Sequence, residues 1–177
     1  MKIKPLAALL TVLGPLFLLE VSCSTAPGPT QPGPTKLSAS YVNWKHFSDI
    51  KDRFDWTEEG ELAIVKEIEA SLQEDAKVYV PNGDRLSMTI NDIHLAGEYE
   101  PSVTQRRIIN GTLPPRFDFD YSLTDSLGKV IKSGHENLTD ADFQSHIPMN
   151  AGDPLHYEKD MMSTWMQQTM YGVSHPK

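Results

Sequence analysis

The strongest constraint on the fold is a strict alternation of apolar and polar residues from Arg116 to Thr124. Phe117, Phe119, Tyr121 and Leu123 are apolar, and the residues between them are charged or carry a hydroxyl group. Successive side chains of a β-strand point to opposite faces of the sheet, so this pattern predicts a strand with one buried face and one solvated face. Such a strand is typical of a half-buried antiparallel hairpin, and the pattern says nothing about chemistry.

The residues after this strand predict a tight turn. Residues 125–128 have the Asp-x-x-Gly pattern of a type I turn in which Gly128 adopts the left-handed conformation and Asp125 pairs with Lys129. This three-residue loop would place Phe119 opposite His135, which predicts His135 at the margin of the core. A two-residue loop is the alternative, and it would place His135 beside Asp118.

A preceding strand, from Arg85 to Leu95, changes the face on which its apolar residues lie. Leu86, Met88 and Ile90 occupy even positions and lie on one face of the strand. Ile93 and Leu95 occupy odd positions and lie on the other face. An extra residue at Asn91-Asp92 accounts for the change, so we predict a β-bulge there, and bulges are over-represented next to functional sites. Asp92 is therefore the carboxylate of greatest interest, although a more common role for such an Asp is to bond local backbone.

Two other segments have the periodicity of amphipathic helices. The first starts after Asp55 or Thr57, with acidic residues in its first turn and apolar residues three and four positions apart. The second opens at Asp153, with Pro154 at its first position. Its four methionines lie beside Trp165, which favours gap-filling core residues over copper ligands.

The order of these elements predicts an α+β fold. A weak strand at residues 37–43, the first helix, the bulged strand, a short strand near Ile108, the hairpin and the last helix follow one another. We expect a mainly antiparallel sheet of four or five strands with two helices packed on one face. Residues 36–175 are long enough to form one domain with its own core.

The N-terminus predicts export. Two lysines precede a run from Pro5 to Leu19 whose only polar residue is Thr11, the pattern of a signal peptide, here residues 1–22. The only cysteine, Cys23, resembles the acylated cysteine of a bacterial lipobox and is predicted as a lipidation site. Glu20 departs from the lipobox pattern, which leaves cleavage by signal peptidase I nearby as the alternative.

Residues 23–35 predict a tether between this N-terminus and the domain. They contain Pro-Gly-Pro-Thr twice, and closely spaced prolines favour extended polyproline II. The protein is therefore expected in the bacterial cell envelope, either in the periplasm or anchored to the inner or outer membrane through a lipid on Cys23. The net charge of −8 disfavours nucleic acid as a partner.

The sequence carries no established catalytic or metal-binding motif: G-x-S-x-G, H-E-x-x-H, a glycine-rich phosphate loop and C-x-x-C are all missing. We assign no catalytic residue, no metal ligand and no cofactor. The leading hypothesis is a non-catalytic binding or interaction domain whose partner is another envelope protein.

The alternative is a site that binds a small ligand or a metal, or that hydrolyses a substrate. It would use Asp92, His94 and Glu98 beside the bulged strand, with Arg116 as a fourth candidate. This hypothesis requires the four side chains to converge in a concave pocket.

Several segments together resemble one bacterial family. They are Asp92 to Pro101 (DIHLAGEYEP), Pro114-Pro115-Arg116 with the alternating strand, the Asp-x-x-Gly hairpin, and Asp153 to Glu158 (DPLHYE) before Trp165. These segments are similar to the family called domain of unknown function 3016, over about Leu37 to Tyr171. Its members usually have Asp at the position of His94, which weakens a role built on two carboxylates at 92 and 94. The resemblance implies an exported, often lipoprotein-like protein and no assigned activity.

Overall fold

The computed structural model describes residues 35–51, 57–100, 106–109, 111–147, 150 and 152–171. The predicted signal peptide, Cys23 and all of the tether except Thr35 lie outside these residues and stay predictions.

The described residues form six strands and two helices. In chain order these are β1 (Leu37–Tyr41), α1 (Glu58–Tyr79), β2 (Arg85–His94), β3 (Glu98–Glu100), β4 (Arg106–Ile108), β5 (Arg116–Thr124), β6 (Val130–Thr139) and α2 (His156–Met170). Short 3₁₀ turns occur at Trp44–His46 and Phe143–Ser145. Within the described ranges, no helix combines the length and the apolar composition needed to cross a membrane.

Four strands form the main sheet, in the order β1-β2-β5-β6. β1 runs parallel to β2 and is joined to it through α1, whereas β2, β5 and β6 are antiparallel neighbours. β3 and β4 form a separate two-stranded antiparallel ribbon. This architecture confirms the predicted α+β class with a mainly antiparallel sheet.

The hydrophobic core lies between the helices and one face of the sheet. Phe117, Phe119 and Leu123 of β5 have 0% of their surface exposed, as the alternation predicts. Trp165 of α2 packs edge-on against Phe119 and Tyr121, with ring centroids 4.7 and 5.2 Å apart. The four α2 methionines are buried in the same core, which confirms the packing role predicted for them: Met161, Met162, Met166 and Met170.

The start of α1 confirms the predicted cap, because the backbone N–H of Gly60 donates to the Thr57 hydroxyl at 3.3 Å. The start of α2 differs from the prediction by two residues. Asp153 accepts the backbone N–H of Leu155 at 2.8 Å, so Asp153 and Pro154 form a turn before the helix begins at His156.

The N-terminal end of β1 is attached to α1 by two side chains. Lys36 Nζ donates to the carbonyls of Val80 and Lys77, at 2.6 and 3.1 Å, where α1 ends. Gln73 Nε2 of α1 donates to the carbonyl of Leu37 at 3.2 Å. These bonds fix the outer edge of β1 to the helix layer.

The hairpin between β5 and β6 has the predicted turn but not the predicted register. The Asp125 N–H donates to the Lys129 carbonyl at 2.9 Å, and Gly128 has a φ of 81°. A register shift between Leu123 and Thr124 then sets Asp120, rather than Phe119, opposite His135. The prediction of His135 at the core margin was wrong, because a bulge moves every later residue of the strand by one position.

The sheet face opposite the helices is polar. Ser40, Thr89, Asp120 and His135 lie side by side across the four strands of the main sheet. The hydroxyl of Ser40 lies 3.2 Å from that of Thr89. We call this surface the open face.

The buried methionines allow a test of the core. Met166→Leu keeps the side-chain volume and should lower the free energy of unfolding by less than about 1.5 kcal/mol, whereas Met166→Ala leaves a cavity and should lower it by about 2–5 kcal/mol. Urea denaturation of both variants measures the difference. Equal destabilisation by the two substitutions would contradict a packing role.

Candidate functional site

The bulge in β2 occurs where the apolar residues switch from even to odd positions, as predicted. Pairing with β5 shifts between Ile90 and Asp92, so Asn91 is the extra residue. Ile90 and Ile93 both have 0% of their surface exposed. The extra residue thus lets the apolar side chains of both halves of β2 face the core, and it places Asp92 and His94 together on the opposite side.

Asp92 is held by three hydrogen-bond donors. Its Oδ1 accepts the Ser48 backbone N–H at 2.6 Å, and its Oδ2 accepts the Ser48 hydroxyl and the Arg116 guanidinium, the latter at 3.2 Å. Partial burial raises the pKa of Asp92, but these hydrogen bonds and the charge of Arg116 outweigh burial and lower the pKa below its usual value. Asp92 therefore remains a carboxylate that joins the segment after β1 to the sheet.

A buried arginine that the sequence does not single out organises the turn after β2. Arg107 of β4 has 8% of its surface exposed. Its Nη1 donates to the three carbonyls of residues 95–97, at 3.4, 3.3 and 3.1 Å. Its Nη2 donates to Asp49 Oδ1 at 2.6 Å and to the Lys51 carbonyl at 3.1 Å. A buried guanidinium is stable only when it is paired and hydrogen-bonded, and Arg107 meets both conditions.

Glu158, in the first turn of α2, holds the same turn from the helix layer. Its Oε1 accepts the Ala96 backbone N–H at 2.6 Å, and 2% of its surface is exposed. Burial raises the pKa of Glu158, although the backbone N–H groups of Ala96 and Glu158 and the charges of Arg107 and His156 oppose the shift. Its Oε2 is buried and accepts no hydrogen bond from the described residues.

Gly97 completes this turn. Its φ is +79°, and a Cβ there would lie 2.3 Å from the backbone carbonyl oxygen of Ile108. Its N–H donates to the Leu113 carbonyl at 2.8 Å. Only glycine fits this position, because both the backbone angle and the approach of β4 exclude a side chain.

An open cleft of about 430 Å³ lies beside the turn. Its lining combines charged, hydroxyl, imidazole and aromatic groups: Ser48, Asp49, Lys51, His94, Glu98, Tyr99 and Leu113. His94 comes from the end of β2, and Glu98 and Tyr99 come from β3. The Lys51 ammonium lies 5.6 Å from the centroid of the Tyr99 ring, within the range of a cation–π contact.

The structure brings the four candidate site residues into one neighbourhood, with different roles. His94 and Glu98 line the cleft. Asp92 and Arg116 form an ion pair with each other, and both contact Ser48, which also lines the cleft. His94 Nδ1 lies 2.9 Å from the Leu95 carbonyl oxygen, so this nitrogen is engaged with the backbone.

A second polar cluster lies on the open face. His135 Nδ1 is 3.1 Å from Asp120 Oδ1, and its Nε2 is 3.7 Å from Asp118 Oδ2. Asn91 donates to both aspartates, at 3.1 and 3.0 Å. Hydrogen bonds from Asn91 and from His135 lower the pKa of Asp120. In the part of the chain that the structure describes, no group of three or more His, Cys, Asp or Glu side chains is placed to hold a metal ion.

Gly97 and Gly128 form a matched pair for testing the turn. Both have a positive φ, but a Cβ at Gly128 would meet nothing within 4 Å. Gly128→Ala should therefore cost only the backbone strain, about 1–2 kcal/mol, whereas Gly97→Ala adds the clash with β4 and should cost about 3 kcal/mol or more. Thermal unfolding of the two variants checks this order, and similar losses would contradict it.

The raised pKa of Glu158 predicts a pH dependence of stability. A carboxyl whose pKa is raised on folding stabilises the folded state fully below its unfolded pKa, and that contribution is lost as the pH rises through the folded pKa. Glu158→Gln mimics the protonated form. The melting temperature of this variant relative to the wild type should therefore increase with pH.

The control for this experiment is Glu59→Gln, which removes the same charge from an exposed position in the first turn of α1. Its melting temperature relative to the wild type should stay constant or fall slightly as the pH rises, because an ionised carboxylate in the first turn favours the helix. A difference between Glu158→Gln and the wild type that stays constant with pH would contradict the raised pKa.

Comparison with known proteins adds a family and no activity. Neither a curated protein nor a solved structure matches the chain. A family model described as "Protein of unknown function (DUF3016)" matches residues 35–168, from before β1 into α2. The match covers the main sheet, the turn held by Arg107 and Glu158, and the cleft. The chain therefore belongs to the DUF3016 family.

Proposed function

We propose that this protein is an exported, non-catalytic binding domain of the bacterial cell envelope, and that the cleft beside β2 contacts a partner protein there. The observation that carries the proposal is the lining of the cleft, in which Lys51, His94, Glu98 and Tyr99 present both charges, an imidazole and an aromatic ring to solvent.

The N-terminal sequence supports the compartment. A signal peptide at 1–22, a lipid anchor on Cys23 and a proline-rich tether at 23–35 form a consistent set. An extended tether of this composition spans about 3.1 Å per residue, which holds a domain well clear of a membrane surface. A domain at the end of such a tether is suited to meeting other envelope components.

The shape of the cleft favours a protein partner over a small molecule. Small-molecule sites usually enclose most of the ligand and are lined mainly by apolar groups. This cleft is open, and six of the seven side chains that line it are charged, hydroxyl-bearing or imidazole groups. An extended polar segment of a partner could place one apolar side chain on Leu113 and Tyr99 and its charges near Lys51 and Glu98.

The electrostatics favour binding over acid–base catalysis. Asp92, the carboxylate singled out by the bulge, is occupied by Ser48 and Arg116, and its pKa is lowered. A general acid or base at neutral pH needs the opposite, a carboxyl pKa raised toward 7.

A small polar ligand is the second candidate, because a volume of about 430 Å³ falls within the range of known ligand sites.

Site-specific crosslinking in cells tests the proposal. With p-benzoylphenylalanine in place of Tyr99 in the full chain, irradiation should yield an adduct with a second envelope protein. The same group in place of Glu74, on the exposed side of α1, should not. Lys51→Glu combined with Glu98→Lys should reduce the Tyr99 adduct about tenfold, the effect of losing ~1.4 kcal/mol of binding energy. Recovery of monomer alone, under conditions that capture known envelope complexes, would reject a protein partner.

A further inference from the structure

The edge of the main sheet formed by β6 is long and exposed. Among the described strands, β6 pairs only with β5. Its ten residues contain no proline, and only Glu136 and Leu138 are partly buried. The apolar side chains of Val130 and Ile131 are 53% and 39% exposed. Exposed edges of this kind present unpaired backbone groups that can pair with another strand.

The opposite edge of the sheet differs from β6. β1 has five residues, and Gln73 of α1 bonds its Leu37 carbonyl. β6 is twice as long, and its only bulge lies at its first residues, near Ile131. The segment from Lys132 to Thr139 is therefore a regular strand that, among the described residues, pairs on one side only.

The pairing with β5 determines which residues of β6 direct backbone groups outward. The Asp140 N–H donates to the Pro115 carbonyl at 3.4 Å, so this pair belongs to the hydrogen-bonded positions of the ladder. Hydrogen-bonded and non-hydrogen-bonded pairs alternate in an antiparallel ladder. Leu138, Glu136 and Gly134 therefore bond β5, and the N–H and C=O groups of Ser133, His135 and Asn137 point away from the sheet.

A second copy of β6 fits this edge in one register. An antiparallel copy related by a two-fold axis at Gly134 sets Ser133 opposite His135, so the outward backbone groups meet. The same register sets Lys132 opposite Glu136 twice, once on each side of the axis. Opposite charges in directly facing positions stabilise an antiparallel pair.

Neighbouring registers lose this complementarity. Moving the axis by one residue, to Ser133 or to His135, pairs Lys132 with Gly134 or with Leu138. Moving it further, to Lys132 or to Glu136, places two like charges opposite each other at the axis, which destabilises the pair. Gly134 also carries no side chain, and the ring of Tyr121, its partner on β5, lies over it on the side of the helices.

We propose that β6 pairs with β6 of a second copy of this chain around Gly134, which joins two main sheets into one continuous sheet. This interface lies on the edge strand, across the main sheet from β1 and away from the residues that line the cleft, and it does not depend on the function proposed for the cleft.

Sedimentation velocity of the full chain, solubilised in detergent, tests the proposal by charge exchange. The wild type should reach a dimer with rising concentration. Lys132→Glu and Glu136→Lys should each weaken the dimer about tenfold or more, because each puts two like-charged pairs across the axis. Lys132→Glu combined with Glu136→Lys should restore the dimer, since the pairs are again opposite in charge. Lys66→Glu, on the exposed side of α1 and outside the pairing, is the control and should leave the dimer unchanged.

Folding of the variants must be separated from dimerisation. Lys132 Nζ donates to the Thr169 carbonyl at 3.1 Å, so Lys132→Glu loses a contact within the domain. Glu136→Lys keeps that contact. A third variant, Asn137→Pro, removes an outward N–H without touching a bond to β5, and it should abolish the dimer while circular dichroism remains that of the wild type.

Three results would overturn the proposal. They are a wild-type chain that stays monomeric at every concentration, a double charge exchange that does not restore the dimer, and a crosslinker at Ser133 that captures a different protein and no second copy. The last result would assign the edge to a foreign strand. The Tyr99 crosslinking result is unaffected by any of them, so failure of the dimer and failure of the cleft proposal are distinguishable.

Discussion

The buried guanidinium of Arg107 is the interaction on which the site end of the domain depends. It binds the carbonyls of residues 95–97, the carboxylate of Asp49 and the carbonyl of Lys51, and so it joins the segment after β1 to the turn after β2. Without it, a carboxylate and several carbonyls would be left inside the protein with fewer partners, a loss that typically costs 3–5 kcal/mol when one member of a buried ion pair is removed. The wall of the cleft is made from these same segments, so its shape follows from Arg107.

Two bulges determine which polar side chains share the open face. Asn91 is the extra residue of β2, and Ile131 is the extra residue of β6. The first places the Asn91 amide over Asp118 and Asp120, and the second places His135 against the same two carboxylates. The cluster is therefore a product of two local irregularities in otherwise regular strands.

The sequence predicted those parts of the fold that depend on local periodicity. The burial of β5 and the bulge of β2 could be predicted because each strand has one buried face. When one face is buried, a switch of the apolar residues from even to odd positions is visible in the sequence. The register of β6 could not be predicted from the sequence. β6 is an edge strand exposed on both faces, so its residues show no alternation of apolar and polar side chains. Arg107 and Glu158 were missed for another reason. Nothing in the sequence around Arg107 distinguishes it from an exposed charge. Glu158 precedes Met161, Met162 and Trp165 by three, four and seven positions, so helical spacing places it on the buried face of α2. Its bond to Ala96 forms only when α2 meets the turn after β2.

The attachment of β1 to α1 has a mechanical consequence. Any force that reaches the domain through the preceding chain acts first on β1, whose five residues pair in parallel with β2. A force along the strand axis stretches all of these hydrogen bonds at the same time, in shear. They must therefore break together and not one at a time. Lys36 and Gln73 add bonds to α1 at the point where the load enters. The domain is thus reinforced at the end of the chain by which a tether would hold it.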